Sequence, residues 1–256
     1  MIDISYFYVC AIAFAAMFGG ALIGIRAARA LPRHHLSSES AAVVKLSAAI
    51  VVSITSLVLA LLLSSASSSF STSTAILKKL SSDLIHLDHM LRIYGPDANE
   101  ARATLRTYVA KKNEELFPSS GGPTTVDRET ADLLDALLDS ILSLSPADRR
   151  QAALISQAQA ITNNIYAERW LLWENPGAAV PLPFLFVLIF WLSLIFASFG
   201  LFAPVNATVI TSFLLTSLAV TGAIFLMLDL GDPVHHGMLK ISGDPLLRAM
   251  FEVGRP

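Results

Sequence analysis

The sequence predicts an all-α, four-span helical membrane protein: two transmembrane hairpins, with an extramembrane helical bundle inserted between spans two and three. Three observations carry this reading. Hydrophobic residues make up 54% of the 256-residue chain and charged residues only 15%, where a soluble domain carries about 25%. The missing charges are clustered, since residues 4–25, 46–77 and 175–228 hold no Asp, Glu, Lys or Arg. No stretch alternates with the period of a strand, and the mean hydropathy is +0.60. A spanning helix needs about 20 apolar residues, and hydrocarbon offers no partner to free backbone groups, so these runs must be helices.

Span one is predicted over Tyr6–Ile25. Asp3 precedes it without a basic residue, and Arg26, Arg29 and Arg33 follow, which marks a retained anchor and not a cleaved signal. The link to residue 40 also holds His34, His35 and Glu39. Span two covers Val43–Leu63 and continues as one helix to Tyr94, because no Gly or Pro interrupts it. Gly95-Pro96-Asp97 breaks that helix, and Asp97 with Glu100 has the spacing of a capping box for the next one, which ends near Leu116. Phe117–Pro123 is a loop rich in Ser, Gly and Pro. A further helix is predicted over Val126–Leu144. Ser145-Pro146-Ala147-Asp148 reads as N-cap, first-turn proline and acid of another, with Leu154, Ala158, Ile161 and Ile165 on one face and a stop at Asn175-Pro176-Gly177.

Span three covers Leu182–Ala203, with Pro181 and Pro183 at its start and Trp170, Trp173 and Trp191 near or just inside its ends. The chain folds back through Gly200–Asn206, and Asn206 with Thr208 caps span four, Ala207–Leu228. After it comes a turn-dense but apolar segment, expected to pack on the helical domain or a neighbouring subunit, with a short last helix from Ser242 and Asp244-Pro245 through Leu247, Met250 and Phe251. The expected organisation is 1–65, first hairpin; 66–180, helical domain; 181–228, second hairpin; 229–256, C-terminal segment. The basic link after span one favours a cytoplasmic position by the positive-inside rule, leaving both termini and the helical domain outside.

The most unusual stretch is Ser64–Thr74, in which hydroxyl residues dominate. Ser53, Ser56, Ala60, Ser64, Ser67, Ser71 and Thr74 recur every three or four residues and form one row of small side chains along span two and beyond. Rotatable hydroxyls without fixed charge can line a pore and solvate a passing anion. The same row also suits close helix packing, where small residues and interhelical hydroxyl bonds are favoured. Asp83, His86 and His89 share a helix face beside Asp88, but a metal site needs further ligands that the sequence does not identify, so a solvated face is the plainer reading. His34-His35 and His235-His236 are adjacent pairs that cannot share a helix face and read as loop polar residues.

The single cysteine, Cys10, excludes an internal disulfide. A net charge of −2 gives no basic field for nucleic acid. No hydrolase, P-loop, dinucleotide or zinc-protease motif is present, so neither an enzyme nor a cofactor or metal is expected. No ionisable residue lies in mid-span, which argues against an ion-coupled transporter.

The chain resembles a bacterial family of membrane proteins labelled "bestrophin-like domain". The resemblance rests on Leu228-Asp229-Leu230, Pro233, Gly237, Ile241-Ser242 and Pro245-Leu246, and on Leu87-Asp88-His89-Met90-Leu91, Tyr94-Gly95-Pro96, Arg102, Leu105, Arg106 and Tyr108-Val109. Val234 stands where the family has an aromatic, and one extra residue falls between Pro233 and Gly237. The resemblance implies similarity to bestrophins, pentameric ion channels whose second span lines the pore and whose helices between spans two and three form a vestibule. It also implies cytosolic termini, opposite to the reading from charge. The aromatic neck of bestrophins is not visible in span two. Leu57, Leu63 and Phe70 are the constriction candidates, with the Leu57–Leu63 segment apolar enough to gate by dewetting. The expectation is a homo-oligomeric anion channel in the bacterial inner membrane. The alternative is a non-conducting scaffold or sensor whose helical domain binds a partner.

Overall fold

The computed structural model describes residues 4–32, 37–118, 128–174, 182–231, 241–253 and 255. His34, His35, Pro181, Pro233, His235, His236, Gly237, most of the Phe117–Pro123 loop and the Asn175-Pro176-Gly177 stop lie outside these residues. The described elements, in order, are α1 (Ile4–Ala30), α2 (Ser38–Tyr94), a 3-10 turn (Pro96–Ala98), α3 (Asn99–Leu116), α4 (Arg128–Leu142), α5 (Arg149–Glu174), α6 (Leu182–Leu201), α7 (Ala207–Gly231) and α8 (Asp244–Glu252). No described residue is in a strand. Four of these helices are long and apolar enough to cross a membrane: Tyr6–Ala30, Ser38–Tyr94, Pro183–Leu201 and Ala207–Gly231.

α2 runs unbroken for 57 residues to Tyr94, where the predicted break falls. At about 1.5 Å per residue it is roughly 85 Å long. Gly95 ends it with φ of 119°, a conformation that suits glycine. Two predicted caps differ from what forms. Asp97 and Glu100 make no capping box, because Pro96–Ala98 wind into a 3-10 turn and α3 starts from Ala98 without a side-chain cap. Ser145 does not cap α5. Asp148 does, its Oδ1 accepting from Gln151 N–H at 2.7 Å while Gln151 Oε1 accepts from Ala147 N–H at 2.7 Å. This reciprocal pair satisfies two free donors, and Ser145-Pro146 is left in the approach. Gln151 Nε2 also donates to the Tyr94 carbonyl at 3.2 Å, closing the end of α2. Asn206 caps α7 as its sequence predicts, with Oδ1 accepting from Val209 N–H at 2.8 Å.

The chain divides into two compact units: residues 2–69 with 178–231, and 70–177 with 232–256. In the first, α1 packs on α6 and on α7. Its core joins Ala13, Met17 and Ala21 of α1 to Leu185, Leu188, Leu192 and Phe196 of α6, Ile224 and Met227 of α7, and Ala66 of α2. The α1–α6 approach is set by glycine. A Cβ added at Gly20 would lie 2.8 Å from the Ser193 carbonyl oxygen. One at Gly24 would collide with the Ala197 carbonyl oxygen and one at Gly200 with that of Ala21. Gly20-Ala21-Leu22-Ile23-Gly24 is thus a small-xxx-small face, the device by which helices pack where burial from water gives no drive.

The second unit is a helical bundle. Leu77, Leu80, Leu84, Leu87 and Leu91 of α2 recur every three or four residues and are buried against Leu105, Tyr108 and Val109 of α3, Leu134, Leu137 and Ile141 of α4, and Ile161 and Ile165 of α5. Ile241, Leu246, Ala249 and Val253 of the C-terminal segment complete this core. Ser242 Oγ accepts from Asp244 N–H at 3.2 Å, and Pro245 occupies the first turn of α8, where its missing N–H costs nothing.

Candidate functional site

On α2, Ser53, Ser56, Ala60, Ser64, Ser67 and Ser71 are all exposed. Thr55, Ala66 and Ser73 are the residues of this stretch that are buried. At 100° per residue these two sets lie about 135° apart around the helix. The predicted row therefore points away from the face that α2 covers within its own chain, over a rise of roughly 27 Å. Apolar side chains flank it on either side: Leu57 is 62% exposed and Leu63 is 38% exposed. Phe70 is half-buried against the core of the helical unit. Ser53 Oγ donates to the Ala49 carbonyl at 3.0 Å, so this hydroxyl is satisfied within the helix while its oxygen faces outward.

Asp83, His86 and His89 do not converge. His86 and His89 are exposed on the outer face of α2, His89 Nδ1 lying 3.0 Å from Arg92 Nη2, while Asp88 is turned inward. No three His, Cys, Asp or Glu side chains among the described residues gather as metal ligands. His86, His89 and Arg92 instead form one wall of an open cleft of about 550 Å³, with Glu252 and Arg255 opposite.

Sequence reasoning missed the buried polar groups of the helical unit. Asp88 of α2 takes two N–H groups of Arg102 from α3, Nε to Oδ1 at 3.0 Å and Nη2 to Oδ2 at 3.3 Å. Arg102 Nη2 also donates to the Arg255 carbonyl at 2.9 Å. Lys112 of α3 bonds Glu115 at 2.9 Å, and Glu115 accepts the Thr130 hydroxyl of α4 at 2.7 Å. Burial pushes the Lys112 ammonium down from its ordinary range, against the pull of Glu115. Glu168 of α5, only 3% exposed, bonds Lys79 of α2, which also reaches Asp83 Oδ2 at 3.4 Å. Burial pushes the Glu168 carboxyl up, opposed by Lys79 and assisted by Asp83. Burial likewise raises the Tyr108 phenol. The only available signal was charge at positions of the leucine repeat's face, such as Asp88 next to Leu87, and it does not identify a partner.

Of the C-terminal positions singled out above, Asp229 is buried in the last turns of α7, at 1% exposure, and Ser242 and Pro245 start α8. Leu87, Leu91, Tyr94, Leu105, Tyr108 and Val109 are all buried where α2 turns into α3, with the Asp88–Arg102 pair among them.

Four apolar helices of spanning length together with a helical unit define a membrane protein of all-helical class. A family model described as Bestrophin-like domain matches residues 15–246, and the chain belongs to that family. No curated protein and no solved structure matches the chain significantly.

Proposed function

We propose that the chain is one subunit of a homo-oligomeric channel for small anions, with α2 lining the pore. In this reading α1–α2 and α6–α7 cross the inner membrane of a bacterium as two hairpins, and the helical unit is inserted between them. The observation that carries it is the outward row Ser53, Ser56, Ala60, Ser64, Ser67 and Ser71, turned away from the covered face of α2. Hydroxyls facing lipid gain nothing, whereas hydroxyls facing water or another subunit are solvated. Family membership supports the same reading, five being the subunit number the resemblance implies. Leu57 and Leu63 would form the dry constriction, with Phe70 at its flank. No catalytic role or cofactor enters this reading.

The test is ion flux from liposomes holding the purified chain, with the subunit number read by native mass spectrometry. Flux abolished by bulky substitution in the row supports the channel. A dimer that passes no ion under any salt or pH overturns it. A non-conducting scaffold is favoured by one observation only: Phe251 of α8 is 68% exposed, beside Leu247 and Met250, on the helical unit.

A further inference from the structure

Glu168 is out of place in its surroundings. It sits among Ile161, Ile165 and Leu172 on the apolar face of α5, and its Oε2 is buried without a hydrogen-bond donor. Its other oxygen, Oε1, bonds Lys79. The same Lys79 ammonium reaches Asp83, so two carboxylates from different helices meet at one cation. One positive charge cannot neutralise two negative ones, and Lys79 is 58% exposed, so its charge is screened by water. A buried oxygen without a donor costs its full desolvation. The simplest relief is a proton. Once protonated, Glu168 becomes a donor, and the Asp83 carboxylate, held by the same Lys79 ammonium, is the acceptor that the shared cation brings to it.

We propose that Glu168 and Asp83 form a single proton-binding site that ties α5 to α2. In the ionised state Lys79 bridges the two carboxylates. When a proton enters from solvent, a carboxyl–carboxylate hydrogen bond takes over the tie and Lys79 is released. The proton belongs to the pair, as it does for any two acids that share a site. The neighbouring groups on each packed element are consistent with this. From α3 come Tyr108, neutral and buried, and the Lys112–Glu115 pair, which compensates itself. From α5 come Arg169 and Tyr166, and Tyr166 donates to Asp135 of α4 near Asp139. Burial raises the Glu168 carboxyl in the direction the geometry requires.

The site does not depend on the channel reading, and its test does not use flux. An infrared pH titration of the full chain in detergent follows the carboxylic C=O band. One band is expected to persist above the ordinary carboxylate range and to be missing in Glu168→Gln. Asp83→Asn removes the like charge and should move the midpoint down. Lys79→Met removes the counter-charge and should move it up. A carboxylate tied to Lys79 alone would respond to Lys79→Met but not to Asp83→Asn, and this contrast stands even where Glu168→Gln does not fold. Identical titrations of wild type and Glu168→Gln, or a midpoint unmoved in Asp83→Asn, overturn the proposal.

Discussion

Arg102 of α3 grips Asp88 of α2 with two hydrogen bonds, and both side chains are all but withdrawn from water, at 10% and 7% exposure. The same guanidinium holds the Arg255 carbonyl, so one residue joins α2, α3 and the C-terminal segment. Removing one partner strands a buried charge, at a cost of about 3–5 kcal/mol, while removing both costs much less. Asp88→Leu and Arg102→Met are each expected to lower the melting temperature sharply. The double variant Asp88→Leu/Arg102→Met should melt well above the sum of the two losses. A double variant that merely adds the two would refute the pairing.

The α1–α6 crossing makes a contrast among glycines. A Cβ on Gly24 or Gly200 meets backbone, which cannot yield, whereas Gly19 and Gly222 have nothing within 4 Å. Gly24→Ala and Gly200→Ala should each cost about 1–3 kcal/mol through overpacking. Gly19→Ala and Gly222→Ala should be neutral, or gain up to about 1 kcal/mol from helix propensity. Melting of the detergent-solubilised chain separates the two pairs.

For Glu168 the sign of the pH dependence follows from the direction of its shift. Its carboxyl is raised in the fold, so the folded chain binds the proton more tightly than the unfolded chain does. The stabilisation is fully present below the ordinary glutamate range and is lost as pH rises through the raised value. Melting temperature is expected to fall over that window in wild type and to stay flatter in Glu168→Gln. A window of the same slope in both would be the contrary result.

The outward row of α2 can be probed by thiol chemistry, since Cys10 is the only cysteine and it is buried. In a Cys10→Ala background, cysteines placed at Ser53, Ser56 and Ala60, within the span, should react with a membrane-impermeant thiol reagent. The same change at the buried Thr55 should not. If the row faced lipid, the three exposed positions would be as unreactive as Thr55.

The helices were legible because their signals are strong and local. Span two could be extended to Tyr94 from the absence of Gly and Pro alone, and the spans from their missing charges. Helix starts were less so, since several residues compete to cap one end. Ser145-Pro146 and Asp148 with Gln151 offer rival caps to α5, and the reciprocal pair prevails. Asp97 could not cap α3 because its own backbone is held in the 3-10 turn. The row on α2 was visible as a periodicity, but spacing alone does not say whether it is covered or exposed, and it suits helix packing as well as a pore. The Glu168, Asp83 and Lys79 cluster did not, because Glu168 lies 89 residues from Lys79 and nothing local links them. The Gly20-x-x-x-Gly24 spacing drew no reading from the sequence, because only the neighbour on α6 gives it meaning.

That neighbour is distant in the chain, and synthesis must respect the distance. Ala197 is made 173 residues after Gly24, which it meets. At about 5–20 residues per second, α1 waits roughly 9–35 s in the membrane before its glycine face can be covered. During that interval α2 and the whole helical unit are already emerging. α1 is thus made early and is among the last to find its place, and a translation pause before α6 would lengthen the period in which its bare backbone is open to the wrong partner.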